Sequence, residues 1–402
     1  MEEGRMKVEL LPNTPFLKRN EAGEIIGFDL KEAISFSAKI AGECYEPDGW
    51  SKLKNEPIEQ TNKREKITIE NEHHSVYDHV NITFEIVNIP KILVMILNNE
   101  KQYNTSEKSG RYTIVVGTDH TVISEKEEQL YMKWMEILKP LIKEKYGNVL
   151  KDFKIQKLAQ ENCRYLVTIF MPTRLIHTIP LAQLNRVVAF MRRIINNPVS
   201  ELEEKLIPYL KEFIDIFTKL NVLDDRLQTN RKDRSFSLLS KRDKVEEFGE
   251  SYCVKYKATF AHLADAQRHR TLSYEFKFSK TKEYFIPPIL LDNKELTEEW
   301  LNDIKSIENV IPQGTLVDVT ERGTYDNFIL KCKERLCSAV QVEVCNQTRA
   351  NLLKYQEALK KNNHPLKDDI IKYTKGARCT FPDYECSSDC KFSEGKVLTR
   401  KI

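Results

Sequence analysis

The sequence predicts an α+β fold in two successive halves, each an antiparallel sheet packed with helices. Three observations predict it. From Val80 to Ile89, apolar Ile82, Phe84 and Ile86 alternate with polar residues, the period of a half-buried strand. Ser124 with Glu127, and Ser200 with Glu203, have the spacing of helix capping boxes. Each opens an amphipathic run: Leu130, Trp134, Leu138 and Leu141 on one face, then Leu206, Leu210, Phe213 and Phe217 on another. Finally, Asp224 to Lys244 is dense in charge and poor in apolar residues. After it the order of strand, motif segment and helices repeats, so the domains are expected at 1–222 and 223–402. The two halves have diverged too far for a plain period to reveal the repeat.

The other elements follow the same logic. Val8 to Leu11 reads as an opening strand, Pro12 to Pro15 as a turn, and Leu30 to Cys44 as a helix. Lys- and Glu-rich Ser51 to Lys66 reads as a loop, and Tyr252 to Phe260 as the first long strand of the second half. The apolar stripes are core and carry no function.

A chain of 402 residues with 41% apolar and 31% charged residues supports two cores. The net charge of +3 is too small for a protein that coats a polyanion, and no basic stripe interleaved with aromatics appears. No nucleic-acid partner is expected. No apolar run approaches the ~20 residues of a membrane span, and the N-terminus lacks a signal-peptide pattern. The expected location is the cytoplasm, where the nine cysteines stay reduced. Cys379, Cys386 and Cys390 cluster near the end. Their C-x6-C-x3-C spacing matches no standard zinc pattern and no histidine follows, so they read as reduced thiols of a tail, with no metal expected.

Two segments carry chemistry. Ser106-Glu107-Lys108-Ser109-Gly110-Arg111-Tyr112 combines a hydroxyl, a backbone N–H beside glycine and a guanidinium fork, which suits a phosphate. By itself it also reads as a solvated turn. Arg268-His269-Arg270 concentrates cationic donors. Its alternative is a basic surface patch, although the apolar lead-in of Phe260, Leu263, Ala264 and Ala266 makes one side of that helix buried.

These segments resemble the flavin-dependent thymidylate synthases, whose signature is R-H-R-x-x-S-x-N-E-x-S-x-R-Y. Ser106 to Tyr112 matches its second portion, with Ser106 for Asn. Asn99-Glu100-Lys101 stands where R-H-R belongs, and Asn104 at the motif serine. In the second half Arg268-His269-Arg270-Thr271-Leu272-Ser273 matches the first portion, and Glu275-Phe276-Lys277 breaks the second. Each half keeps what the other lacks. His73-His74-Ser75-Val76-Tyr77-Asp78-His79 resembles the family's H-x-S-x-x-E-H segment. Glu161 to Tyr165 resembles its E-x-A-R run, and Arg335, Gln341 and Glu343 match R-x5-Q-x-E. The chain departs from the pattern at Asp265, where a glutamine usually stands, and in lacking the flavin-binding N-x-R segment.

The resemblance implies two tandem thymidylate-synthase-complementing-type domains. It implies transfer of a one-carbon unit from methylenetetrahydrofolate to C5 of dUMP, with FAD as cofactor and NADPH as reductant. Glu107, Ser109, Gly110, Arg111, Arg164, Arg268 and Arg335 would bind dUMP, with Arg335 and Arg268 also catalytic. His73, Ser75, Asp78, Arg268, His269 and Arg270 would face FAD and folate. Arg192 is a poorer first-half counterpart of Arg335. A homodimer imitating the family's tetramer is the expected assembly. The competing readings are a related flavoenzyme acting on another pyrimidine nucleotide, such as UMP, and a non-catalytic nucleotide-binding paralogue.

Overall fold

A computed structural model of the chain describes residues 4–110, 123–229, 234–240, 242–387 and 390–402. It begins with β1 (Lys7–Leu10), β2 (Leu17–Arg19), β3 (Ile25–Phe28), α1 (Leu30–Ile40), α2 (Trp50–Leu53) and α3 (Ile58–Glu70). Next come β4 (Asn81–Pro90), α4 (Lys91–Leu97), β5 (Asn104–Glu107), α5 (Glu125–Tyr146), α6 (Asp152–Cys163), β6 (Pro172–Pro180), α7 (Leu181–Asn196) and α8 (Glu201–Lys219). Then follow β7 (Glu247–Phe248), β8 (Ser251–Thr259), α9 (Phe260–Ala266), β9 (Ser273–Phe278), α10 (Lys294–Lys305), β10 (Leu316–Thr324), α11 (Tyr325–Arg335) and α12 (Val342–Lys361). Helices and antiparallel sheets mix as the sequence predicts. Among the described residues no helix is long and apolar enough to cross a membrane.

The stretch expected as a loop, 51–66, is a correction: it holds α2 and most of α3. The apolar periodicity of α3 is weak because its inward positions are Thr61 and Thr68. Polar contacts hold it instead. Arg64 Nη1 and Nη2 donate to the Glu56 carboxylate at 2.7 and 2.8 Å.

The chain forms two compact units, and a single cut at 222/223 does not separate them. One unit holds Met1–Lys108 and Pro172–Phe236, the other Ser109–Met171 and Ser237–Ile402. The reason is the packing of α5 and α6. The apolar face of α5, read from the sequence, and buried residues of α6 lie in the same core as α10. Trp134 meets Trp300 edge-on with ring centroids 4.9 Å apart, and its indole N–H donates to Asp303 at 2.8 Å.

Each unit carries a four-stranded antiparallel sheet, ordered β1-β4-β6-β5 in one and β7-β8-β10-β9 in the other. The connections repeat. In both sheets the two central strands run directly into helices, β4 into α4 and β6 into α7, β8 into α9 and β10 into α11. The edge registers repeat too. Asn104 on β5 faces Thr178, two residues before the end of β6. Ser273 on β9 faces Arg322, two residues before the end of β10. The strands β4 and β8 differ in length by one residue. A register shift between Val87 and Ile89 absorbs it, with Asn88 at φ +63° in the left-handed region.

Both predicted caps form, but differently. At α5 the box is reciprocal: the Glu127 N–H donates to Ser124 Oγ and the Ser124 N–H donates to the Glu127 carboxylate. At α8 the Glu203 N–H donates to Ser200 Oγ, while the Glu203 carboxylate accepts from the N–H of Val199. Glu127 also accepts from the Thr168 N–H at 2.7 Å, deep in its unit. Ser124→Ala is therefore expected to destabilise the protein by about 1 kcal/mol. Urea denaturation checks this, and an unchanged midpoint would contradict it.

Candidate active site

In the second unit the site grows out of α9. Thr259 caps this helix, its hydroxyl accepting the His262 N–H at 2.9 Å. The helix is buried along its length except at Asp265. The chain then emerges, so Arg268 and Arg270 are exposed while His269 turns inward. His269 Nδ1 lies 2.9 Å from the Glu334 carboxylate and Nε2 lies 3.3 Å from the Asn327 carbonyl. Burial pushes its imidazole toward the neutral form, with Glu334 acting the other way. His269 thus ties the loop to α11. It does not present a free ring.

Arg335 closes α11. One guanidinium nitrogen stands 3.8 Å from the Glu334 carboxylate, and the side chain is 19% exposed. Its Nε is buried without a hydrogen-bond partner among the described residues. Such a donor suits an anionic or carbonyl ligand, since a buried N–H is costly to leave unmatched.

Arg164 follows α6 and is buried. Its Nη2 donates to Asp265 at 2.7 Å, and its Nε also lacks a partner among the described residues. Burial opposes this charge, but Asp265 and Glu161 together hold the guanidinium firmly protonated. Asp265 is the residue that stands in place of the expected glutamine, and its partner is now explained. An arginine from the first stretch of sequence is thereby fixed three residues from Arg268.

Gln341 and Glu343 brace this region from within. Gln341 Oε1 caps α12 by accepting the Val344 N–H at 3.1 Å, and its Nε2 donates to the Tyr165 hydroxyl. Glu343 accepts from Tyr165 OH, Thr259 N–H and Thr259 OH at 2.9, 2.9 and 2.7 Å. The Q-x-E part of the motif thus joins α12 to the β8–α9 junction and to the neighbour of Arg164.

Sequence reasoning missed a buried ion pair. Glu321, in the middle of β10, accepts from Lys331 Nζ at 2.6 Å and from the hydroxyls of Tyr252 and Tyr256, each at 2.7 Å. Both charged side chains are fully buried. Burial works against the Glu321 charge, yet Lys331 and the two hydroxyls outweigh it and hold the carboxyl below its usual range. The lysine lies within α11, four residues before Arg335.

The first unit holds other expected residues. His73 and Ser75 are exposed on either side of buried His74. Asp78 accepts from the Gln183 N–H at 3.1 Å and from Arg186 Nη2 at 3.1 and 3.3 Å. Asp78 therefore anchors the start of α7, and Arg186 is a partner the sequence did not flag. His73 lines a cleft of about 470 Å³ with Tyr45, Gln60, Lys63, Arg64 and Asn71. Tyr45 is 80% exposed, so its ring face is open to a planar ligand. Glu107 is closed in an ion pair, 2.5 Å from Lys91 Nζ, with 5% of its side chain exposed. Lys108 extends the β5 ladder by donating to the Arg174 carbonyl at 3.0 Å. Ser109 and Gly110 are half-buried, and Arg111 lies outside the described residues.

The expected residues thus divide. His73, Ser75, Asp78 and Glu107 belong to the first unit, while Ser109, Gly110, Arg164, Arg268, His269, Arg270 and Arg335 belong to the second. The family described as "Thymidylate synthase complementing protein" matches residues 29–201. Over that span the chain is similar to that family. This family region contains His73, Ser75, Asp78, Glu107, Ser109, Gly110, Arg111 and Arg164, and Arg268 to Arg270 and Arg335 follow it. No curated protein matches the chain.

Solved structures similar to this chain include thymidylate synthase X from Helicobacter pylori with FAD and dUMP. It is 16% identical, covers 56% of this chain and 100% of its own, and has a TM-score of 0.33. Another is a UMP/dUMP methylase, PolB from Streptomyces cacaoi, bound with 5-Br dUMP. It is 13% identical, covers 56% of this chain and 94% of its own, and has a TM-score of 0.31.

Proposed function

We propose that the protein is a flavin-dependent thymidylate synthase, converting dUMP to dTMP with FAD, methylenetetrahydrofolate and NADPH. One observation carries the reading: a single family signature is divided between two sheets of the same strand order. Arg268-His269-Arg270 leads into Ser273 on β9. Asn104 holds the same register on β5, and the chain continues from it into the Ser106 to Tyr112 portion. This supports an internal duplication in which each copy kept one part.

The chain's own groups suit the ligands. A nucleotide phosphate and two uracil carbonyls call for fixed cationic donors. Arg268 and Arg111 supply phosphate contacts, and Ser109 and Gly110 add a hydroxyl and a backbone N–H. Arg335 faces the uracil, where negative charge develops as C5 attacks the one-carbon unit. A partly buried, preorganised guanidinium stabilises that charge more than a solvated one would. Arg164, already held by Asp265, adds a second fixed positive charge. The exposed Arg268 and Arg270 also suit the phosphates of FAD. We assign His73, Ser75 and Asp78 to the flavin and folate side, with Tyr45 as a stacking face. When bound, the flavin supplies the reducing equivalents and relays the carbon.

The decisive measurement is flavin content of the purified protein together with tritium release from 5-tritiated dUMP, with UMP run in parallel. A yellow protein that releases tritium from dUMP is expected. A colourless protein that FAD cannot reconstitute, and that releases tritium from neither nucleotide, removes the proposal. The division of the signature further leads us to expect a homodimer binding one dUMP per chain. Calorimetry with light scattering checks this, and two dUMP per chain would refute the division.

A further inference from the structure

The two units build one strand-and-helix frame, and they fill it differently. In the second unit a linked polar set occupies five positions: Tyr252 and Tyr256 on β8, His262 on α9, Glu321 on β10 and Lys331 on α11. By register and by place in each helix, the first unit has Ile82 and Ile86 on β4, Leu93 on α4, His177 on β6 and Val187 on α7. All five of these are buried and four are apolar, and the ring of His177 stacks on Tyr103 with centroids 5.2 Å apart. The frame therefore closes without a polar network, so the network of the second unit is not a requirement of the fold. The arginines divide in the same way. Arg268 follows α9 and Arg335 ends α11, whereas the first unit has Asn99 and buried Met191 at the matching places. We propose that Tyr256 and His262 are positioning residues for Arg268 and Arg335, a role that rests on the reading of these arginines as dUMP ligands.

The hydrogen bonds give this role a direction. Glu321 takes the Tyr256 hydroxyl proton at 2.7 Å, so that hydroxyl has only its oxygen lone pairs left to offer. His262 Nε2 lies 3.4 Å from the same oxygen, and Nε2 is therefore the nitrogen that carries the proton and donates. Burial supports a neutral ring, pushing the imidazole down to about 3. Nδ1 is buried without a partner among the described residues, a cost that leucine in this position avoids.

The chain of contacts from His262 through Tyr256 and Glu321 to Lys331 joins α9, β8, β10 and α11. Lys331 lies one turn before Arg335, and α9 leads directly to Arg268. Asp265, one turn after His262, holds Arg164 at 2.7 Å, so a third arginine depends on how α9 sits. Directional bonds fix the orientation of a helix on a sheet more sharply than apolar packing does. One network thus sets both helices that carry the substrate arginines.

The test measures turnover and stability on the full-length protein. His262→Leu, which installs the first unit's residue, should leave the urea midpoint unchanged or higher while tritium release from dUMP falls about 10–100-fold. His262→Gln, whose amide N–H reaches the place of Nε2, should restore most of it. Tyr256→Phe removes only the hydroxyl and decides if His262→Leu fails to fold. The Glu321→Met/Lys331→Met double variant should regain stability without regaining turnover. Hydrogen exchange read by mass spectrometry is independent of turnover: residues 263–270 and 332–336 should exchange faster in His262→Leu and Tyr256→Phe. If the parent itself releases no tritium, the thymidylate synthase reading falls, and exchange alone decides the positioning. Turnover that falls only in step with stability, a glutamine variant no better than leucine, or exchange unchanged in both variants would each overturn it.

Discussion

Arg335→Ala is expected to lower the turnover of dUMP, read as tritium release, by about 10²–10³-fold, the loss seen when one preorganised transition-state donor is removed. Arg335→Lys restores little, because a point charge does not reproduce the planar fork. Arg268→Ala should act mainly on dUMP affinity, costing on the order of 2–5 kcal/mol as the phosphate loses a charged partner. Arg192 is the internal control. It pairs at 3.1 Å with Asp225, both largely exposed at 45% and 79%. A surface pair of this kind is worth about 0–1 kcal/mol, so Arg192→Ala should leave turnover within a few-fold. Steady-state kinetics of the four variants separates these effects. Arg335→Ala with turnover close to the parent would remove Arg335 from the chemistry.

Lys331→Met is expected to destabilise the fold by about 3–5 kcal/mol, because it strands the buried Glu321 carboxylate without its cation. The hydroxyls of Tyr252 and Tyr256 remain as donors, but they carry no charge. The double variant with Glu321→Met should recover much of the loss, since the desolvation penalty goes with the charge. The sign of the pH dependence follows from the depressed carboxyl. Its stabilisation is fully present above the unfolded glutamate value, about pH 4.3, and is lost as pH falls through the folded value. In Lys331→Met the buried carboxyl favours protonation instead. The difference between variant and parent should therefore be largest near neutral pH and shrink toward acid. Urea titrations at several pH values measure it, and a pH-independent difference would contradict the ion-pair account. Because Lys331 and Arg335 share α11, the variant should also lower dUMP turnover where it remains folded.

The local features were legible in the residues themselves. The alternation of Ile82, Phe84 and Ile86 places all three in the core of a strand. Ser124 and Glu127 mark the start of α5 because cap and partner lie three residues apart. Arg268-His269-Arg270 drew notice through charge after an apolar run, and the buried α9 before it is the physical form of that run. The helix α3 was not legible, since polar Thr61 and Thr68 take its inward positions and an ion pair holds it.

Strand alternation, helix caps and apolar faces were set by the sequence alone, because each depends on hydrogen bonds and side-chain spacing within a few residues. Tertiary structure alone decided what each face met. It placed α5 and α6 with α10, Arg164 against Asp265, and Glu321 against Lys331. Arg164 and Asp265 are 101 residues apart in the chain. A guanidinium or a carboxylate has the same local pattern whether it faces water or a buried partner, and only closure of the chain around it distinguishes the two.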